Sequence, residues 1–189
     1  MAKITWAGQS CFQISVSNSK DHQADIVIDP FSDIGLKIPN FSADILLITH
    51  NHPDHNNIDT IKGSPFLVEN PGEYEIKGVF VKGIYSFHDD KEGKDRGINV
   101  IYTFEAEDIK FCHLGDFGQK QLTDEQLEKI GPVDILMIPV GGNYTIDSSE
   151  AQKVIGQIEP KMVIPMHYEL PKLRFKLDSV DKFLKAMGS

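Results

Sequence analysis

An α/β fold of two packed sheets, with helices on their outer faces, is predicted by three features of this 189-residue sequence. Residues 1–116 consist largely of short apolar runs with the alternation expected of strands. Beyond them, apolar runs alternate with amphipathic stretches that carry helix caps. Steps rich in His and Asp stand directly after several of the runs, at the strand ends where open α/β sheets place their chemistry. The length suits one domain spanning residues 1–189, with neither repeat nor linker.

In chain order, residues 4–6 and 11–16 alternate and flank Ala7-Gly8-Gln9-Ser10, which predicts a hairpin opening a mostly antiparallel sheet. Residues 17–23 read as a polar turn with His22 in solvent. Residues 24–31 are a strand closed by the Asp29-Pro30 step, which must leave extended geometry. Asp29 is either a turn residue or the partner that orients a ligand imidazole through its other nitrogen. The aliphatic run Ile45-Leu46-Leu47-Ile48 is a buried strand. A short helix over 57–62, a strand over 65–68 and short hairpins over 69–84 follow.

Residues 89–97 form the longest polar stretch and predict a mobile loop at the mouth of a site. Residues 98–104 and 108–113 pair as strands around an acidic turn. Thr123 caps a helix to about residue 130, with Gln126 at the capping-box position. A buried strand over 133–140 leads to Gly141-Gly142-Asn143-Tyr144. A helix from Asp147 or Ser148 to Ile158, a strand over 161–166 ending in His167, and an amphipathic helix over 179–187 complete the chain.

Hydrophobic residues at 40% and charged residues at 25% match ordinary globular proteins. A formal charge of −9 disfavours nucleic acid and anionic membranes as partners, although bound divalent ions would make a site locally positive. No run approaches the roughly 20 apolar residues of a membrane span, and the N-terminus enters a strand pattern without a leader's signature, so a cytoplasmic protein is expected. Cys11 and Cys112 lie in apolar strand contexts and read as small hydrophobes rather than as a disulfide framework.

The most informative stretch is Thr49-His50-Asn51-His52-Pro53-Asp54-His55-Asn56-Asn57. Four potential ligands in six residues, spaced His-x-His-x-Asp-His, cannot all reach one small cation, because the chain must turn between the first pair and the second. Two adjacent metals are the natural reading. Neutral imidazole suits zinc, and the carboxylate tolerates harder ions such as manganese. His88, Asp116 and His167 each follow an apolar run in the same manner, and a dinuclear site needs about seven protein ligands, one of them a carboxylate between the ions. His113 competes with His88. Its place beside Gly115-Asp116 makes it a partner behind the ligands or a packed core histidine, and His88 is the favoured ligand.

On these residues the chain resembles the metallo-β-lactamase superfamily, whose His-x-His-x-Asp-His signature matches positions 50–55 without a gap. Within it the chain is similar to the small metal-dependent hydrolases that resemble ascorbate-6-phosphate lactonase. The similarity runs through Thr5-Trp6-Ala7-Gly8-Gln9-Ser10-Cys11-Phe12, Ile28-Asp29-Pro30-Phe31, Leu114-Gly115-Asp116, Pro139-Val140-Gly141-Gly142 and Ile164-Pro165-Met166-His167-Tyr168. The resemblance implies a four-layer αββα sandwich. It puts metal 1 on His50, His52 and His88, metal 2 on Asp54, His55 and His167, and Asp116 between them. Many relatives carry His where this chain has Gln9, and flavodiiron relatives replace the second His by Glu, so His52 speaks against that oxidoreductase branch.

The expected activity is hydrolysis of a small molecule at two divalent ions, with a bridging hydroxide that Asp54 orients and from which it accepts a proton. An ester or lactone is the first substrate class by resemblance, and a phosphodiester the next. Lys94 and Arg96 on the polar loop are either an anion-binding pair or a solvated face. A nuclease or RNA-processing role runs against the negative charge and the lack of room for an insertion. A non-catalytic metal scaffold would be expected to lack a ligand, and self-association into a homo-oligomer is compatible with the sequence.

Overall fold

The computed structural model describes residues 2–19 and 22–188. The first hairpin joins β1 (Lys3–Gly8) to β2 (Cys11–Ser19) through a two-residue turn in which Gln9 adopts φ 50°. β2 runs on antiparallel to β3 (His22–Ile28), so strand structure reaches into the stretch 17–23 expected as a polar turn, of which residues 20 and 21 lie outside the described ones. Asp29 ends β3 by turning into the left-handed region at φ 48°. β4 (Ile45–Leu47) and β5 (Phe66–Val68) then add parallel to β3. The first sheet, ordered β1-β2-β3-β4-β5, is therefore half antiparallel and half parallel rather than mostly antiparallel. Alternation alone does not tell the two pairings apart, because it is a property of one strand and not of its neighbours.

The second sheet has the order β11-β10-β9-β8-β7-β6. Its antiparallel half comprises β6 (Gly72–Ile76), β7 (Val79–Phe87), β8 (Ile98–Ala106) and β9 (Ile109–His113). Its parallel half adds β10 (Ile135–Pro139) and β11 (Met162–Met166) beside β9. The helices α1 (Asp124–Ile130) and α2 (Ser148–Ile158) connect these parallel strands, and α3 (Val180–Ala186) follows them. Both α1 and α2 begin with full capping boxes, Thr123 with Gln126 and Asp147 with Glu150, which satisfy orphan N–H groups at their starts.

Side-chain alternation sorts each sheet into two faces. Phe12, Ile14, Ile26, Ile28, Ile45 and Leu47 point inward and meet Val79, Val81, Val100, Tyr102, Phe111 and Met137 of the other sheet in the central core. Ile101, Cys112, Leu136 and Ile138 point the other way and pack on Ala151 and Val154 of α2 and Phe183 of α3. The outward residues of the first sheet, Val27, Leu46 and Ile48, are covered by Phe41, Ala43, Ile58 and Ile61, which belong to a loop and to the short 3-10 turn Ile58–Thr60. The chain is thus an αββα-type sandwich whose outer layer on the first sheet is thin among the described residues.

The two sheets are stitched together at the end where β4 terminates. The buried Tyr102 hydroxyl lies 2.9 Å from Ile48 O and 3.0 Å from Val68 O. The Val100 N–H donates to Thr49 O at 2.9 Å. Those bonds pull the start of the His-rich loop against the second sheet, so groups from both sheets share one rim.

Candidate metal centre

Thr49 to Asn57 leaves β4 as a compact loop. His55 and Asn56 donate backbone N–H bonds to His52 O at 2.9 and 3.1 Å. Asp29, fully buried, holds both ends of the loop: its Oδ1 accepts from Thr49 N at 2.8 Å, and its Oδ2 lies 2.7 Å from Thr49 Oγ1 and 2.9 Å from His55 Nδ1. An ionised carboxylate only accepts, so Asp29 makes His55 the Nδ1–H tautomer and leaves the Nε2 lone pair free. Thr49 passes the same instruction to His50. Its hydroxyl hydrogen goes to Asp29, so its oxygen accepts from His50 Nδ1 at 3.0 Å.

The remaining groups arrive from the second sheet. His88 follows β7, Asp116 lies three residues past β9, and His167 follows β11. His167 sits at φ 51°, a left-handed geometry that costs a non-glycine residue energy and that is held by its N–H bond to Gln9 O at 3.2 Å. Two glycines permit the convergence. A Cβ on Gly115 would lie 2.3 Å from Asn99 Oδ1, and one on Gly141 would lie 2.1 Å from His167 O. Asn99 in turn accepts from Asp116 N at 2.9 Å and donates to Leu114 O at 2.8 Å, which fixes the carboxylate's backbone.

The seven side chains fall into two groups, His50 with His52 and His88, and Asp54 with His55, Asp116 and His167, each with ligand atoms mutually within 4.8 Å. Asp116 touches both. Its Oδ1 is 3.2 Å from His55 Nε2, while its Oδ2 is 3.2 Å from His167 Nε2 and 3.4 Å from His88 Nε2. Burial and the surrounding imidazoles push His50 well below the ordinary histidine range, and burial pushes His88 down too, so both are neutral donors at pH 7. Burial also opposes charge on Asp116 and Asp54, but there it is outweighed: His167 and His55 hold Asp116 well below the carboxylate range, and His55 does the same for Asp54.

These residues fit divalent metal ions. His50 Nε2 and His55 Nε2 are buried and make no hydrogen bond, which leaves both lone pairs directed among the other ligand-type groups. The imidazoles, together with the carboxylates of Asp54 and Asp116, form the mixed N/O donor set that zinc and manganese accept.

His113 stands apart from both groups. Its Nε2 meets Ser10 O at 2.9 Å and its Nδ1 accepts from Gly115 N at 3.1 Å, so both nitrogens are spent on backbone. Burial pushes it below the ordinary range. Two neighbours of the site escaped sequence reasoning. Gln9 Nε2 donates to Asp54 Oδ2 at 3.3 Å, and Ser10 Oγ lies 3.4 Å from Asp116 Oδ1. The clue in the sequence was their place in the Thr5–Phe12 stretch that carries the resemblance, where many relatives have His at position 9.

A cavity of about 480 Å³ opens onto the cluster, floored by His52, Asp54, His88, Asp116 and His167, and rimmed by Ile34, Tyr144, Phe175 and Arg96. Residues 89–97 shape part of that rim. The loop is braced rather than loose: Asp89, buried beside His88, accepts backbone N–H bonds from Lys91, Gly93, Asp95 and Arg96 at 2.8, 2.8, 3.0 and 2.8 Å. Those four donors outweigh the cost of burying its charge and draw its pKa down to about 2. Lys94 reaches Glu92 at 4.0 Å and does not line the cavity. No described helix is long and apolar enough to cross a membrane.

A His/Asp cluster that joins the ends of two packed sheets under an open cavity defines a metal-dependent enzyme of the β-sandwich class. Residues 3–167 match the model of the beta-lactamase superfamily domain, and the chain belongs to that family. A UPF0173 metal-dependent hydrolase of Thermococcus onnurineus is 30% identical over 89% of this chain and 85% of its own length. A crystal structure from Thermotoga maritima, a candidate zinc-dependent hydrolase of the metallo-β-lactamase superfamily, is 41% identical, covers 100% of this chain and 87% of its own, and superposes with a TM-score of 0.83. A metallo hydrolase of Ignicoccus hospitalis, 22% identical over 99% of this chain and 91% of its own with a TM-score of 0.69, shares the fold. The protein is a metal-dependent hydrolase of this superfamily.

Proposed function

We propose that residues 1–189 form one cytoplasmic hydrolase domain whose two clusters hold a pair of divalent ions, zinc foremost and manganese as a substitute, and cleave an ester or lactone bond of a small molecule. His50, His52 and His88 would hold metal 1, Asp54, His55 and His167 metal 2, and Asp116 would lie between them. The observation that carries this reading is the position of Asp116, within 3.4 Å of imidazole nitrogens from both groups. Such ions supply Lewis acidity, which acidifies water and polarises the scissile group.

The chain's own residues do the rest. Asp29 and Thr49 preset the tautomers of His55 and His50, so two donors need no reorientation when an ion binds. Gln9 Nε2 occupies Asp54 Oδ2 and orients the carboxylate. The oxygen of Asp54 left free by Gln9 orients the attacking water and receives its proton. A cavity of about 480 Å³ has the size of a small-molecule site, which supports a compact substrate over a folded polymer.

The test is elemental analysis of the protein reconstituted with zinc or manganese, joined to a screen of esters, lactones and phosphodiesters. Close to two ions per chain and turnover of an ester or lactone are expected. Only trace metal would remove the dinuclear site, and turnover confined to phosphodiesters would move the substrate class.

A further inference from the structure

The cavity is chemically lopsided away from the ligand cluster. One side is apolar and aromatic: Phe175 stands edge-on to Tyr144 with ring centroids 5.9 Å apart and tilts over His167 at 6.4 Å. Beside them stands Arg96, the one lysine or arginine among the described residues that line the cavity. Its guanidinium lies 5.5 Å from the Tyr144 ring centre, and its Nη2 donates to Asn143 O at 3.4 Å. A guanidinium has five N–H donors, so this anchoring leaves most of the fork available. Asp95, the adjacent acid on the rim, is already engaged by Lys91 Nζ at 2.7 Å. The Arg96 backbone is fixed from below by Asp89 at 2.8 Å, which spares a bound ligand the cost of ordering the loop.

We propose that Arg96 is the specificity-determining residue of the site and that it selects a small amphipathic monoanion: an ester or lactone whose distal carboxylate pairs with Arg96 while its apolar body lies on Tyr144 and Phe175. This rests on the hydrolase reading above and adds the substrate's chemical class. A chain with a formal charge of −9 repels anions at long range, so an anionic end needs a placed cation to be accepted at the rim. One guanidinium beside an acid suits a monoanion. A doubly charged phosphate would call for more positive charge than the rim carries. Asp89 acts through the loop and is a positioning residue.

Two matched 4-nitrophenyl esters test the assignment, the hydrogen glutarate with a free carboxylate and the neutral pentanoate of similar length. In zinc-loaded protein the ratio of kcat/KM for the anionic ester over the neutral one should fall about 10- to 100-fold in Arg96→Gln, the range of a charge-assisted pair, with the change carried by KM. Arg96→Lys should restore part of it. A ratio within twofold of wild type in Arg96→Gln would overturn the proposal, as would an equal loss on both esters.

If neither ester is turned over, equilibrium binding of 5-phenylpentanoate and 5-phenylpentan-1-ol to the same proteins decides. The preference for the acid should fall at least fivefold in Arg96→Gln, and an unchanged preference overturns the assignment. Failure of the hydrolase reading shows separately, as absent metal or absent turnover in wild type.

Discussion

The two halves of the metal centre are assembled in opposite ways. His50, His52, Asp54 and His55 come from one loop after β4, and Asp29 ties that loop at both ends. His88, Asp116 and His167 come from the ends of β7, β9 and β11, and meet only because these three strands of the second sheet run the same way and end at the same edge of it. A local loop can hold its ligands by a few hydrogen bonds. A centre gathered from distant strands depends on the register of a whole sheet, and therefore on its core. Asp116 is where the two solutions join, which makes it the position most exposed to damage.

The comparison is broken most directly at that junction. Asp116→Ala should cost activity well beyond the about 10- to 100-fold expected for His113→Ala, whose partners are backbone atoms behind the ligands. Kinetics and metal content of the two variants, measured side by side, check this, and a greater loss in the His113 variant at equal metal content would reverse the roles. On the loop side, Asp54→Asn keeps the shape and one oxygen donor but removes the charge. It should fold, keep the three-histidine group loaded and lose most of its turnover. Wild-type rates in a fully metallated Asp54→Asn protein would remove Asp54 from the chemistry.

A smaller effect is expected behind the loop. Asp29→Ala leaves the buried Thr49 N–H without a partner, at about 1–3 kcal/mol, and frees the tautomers of His50 and His55. Metal affinity should fall about 10- to 100-fold, read by competition with a chelator. The matching change on the sheet side is Asp89→Ala, which removes four backbone contacts from the rim. Amide exchange at Lys91, Gly93, Asp95 and Arg96 should accelerate while metal content holds. Uniform acceleration across β7 would instead show that the rim and the strand open as one unit.

Far from the metal centre a partly exposed ion pair joins the two sheets, where Lys77 of the β6–β7 turn meets Asp44 at 2.5 Å just before β4. Partial burial opposes charge on Asp44, yet Lys77 and the Asp25 N–H hold its carboxyl below the ordinary value of 3.8. A depressed carboxyl contributes stability above its unfolded pKa and loses it as pH falls through the folded one. Asp44→Asn should therefore cost less than about 1 kcal/mol at pH 7, and the gap to wild type should begin to narrow once pH falls below about 4 in denaturant titrations. A gap that does not narrow as pH falls would assign the effect to packing instead.

Sequence alone determined what local physics encodes. Period-two runs marked the strands, Thr123 with Gln126 marked a helix start, and the His-x-His-x-Asp-His spacing singled out the loop after Ile48. Each of these signals lies within about a turn of helix or a short strand, so no distant contact is needed to read it. Tertiary structure decided everything that depends on which strands become neighbours. It set the parallel pairing of β3, β4 and β5, and it covered the first sheet with a loop and a 3-10 turn, where the text over 57–62 had suggested a helix. It also turned the polar stretch 89–97 into a loop braced by one carboxylate, and brought Gln9 to Asp54 across 45 residues of chain. The reason is that a side chain's own sequence reports its preference for being buried or turned. Its partner is chosen by sheet register and core packing, which are summed over the whole fold.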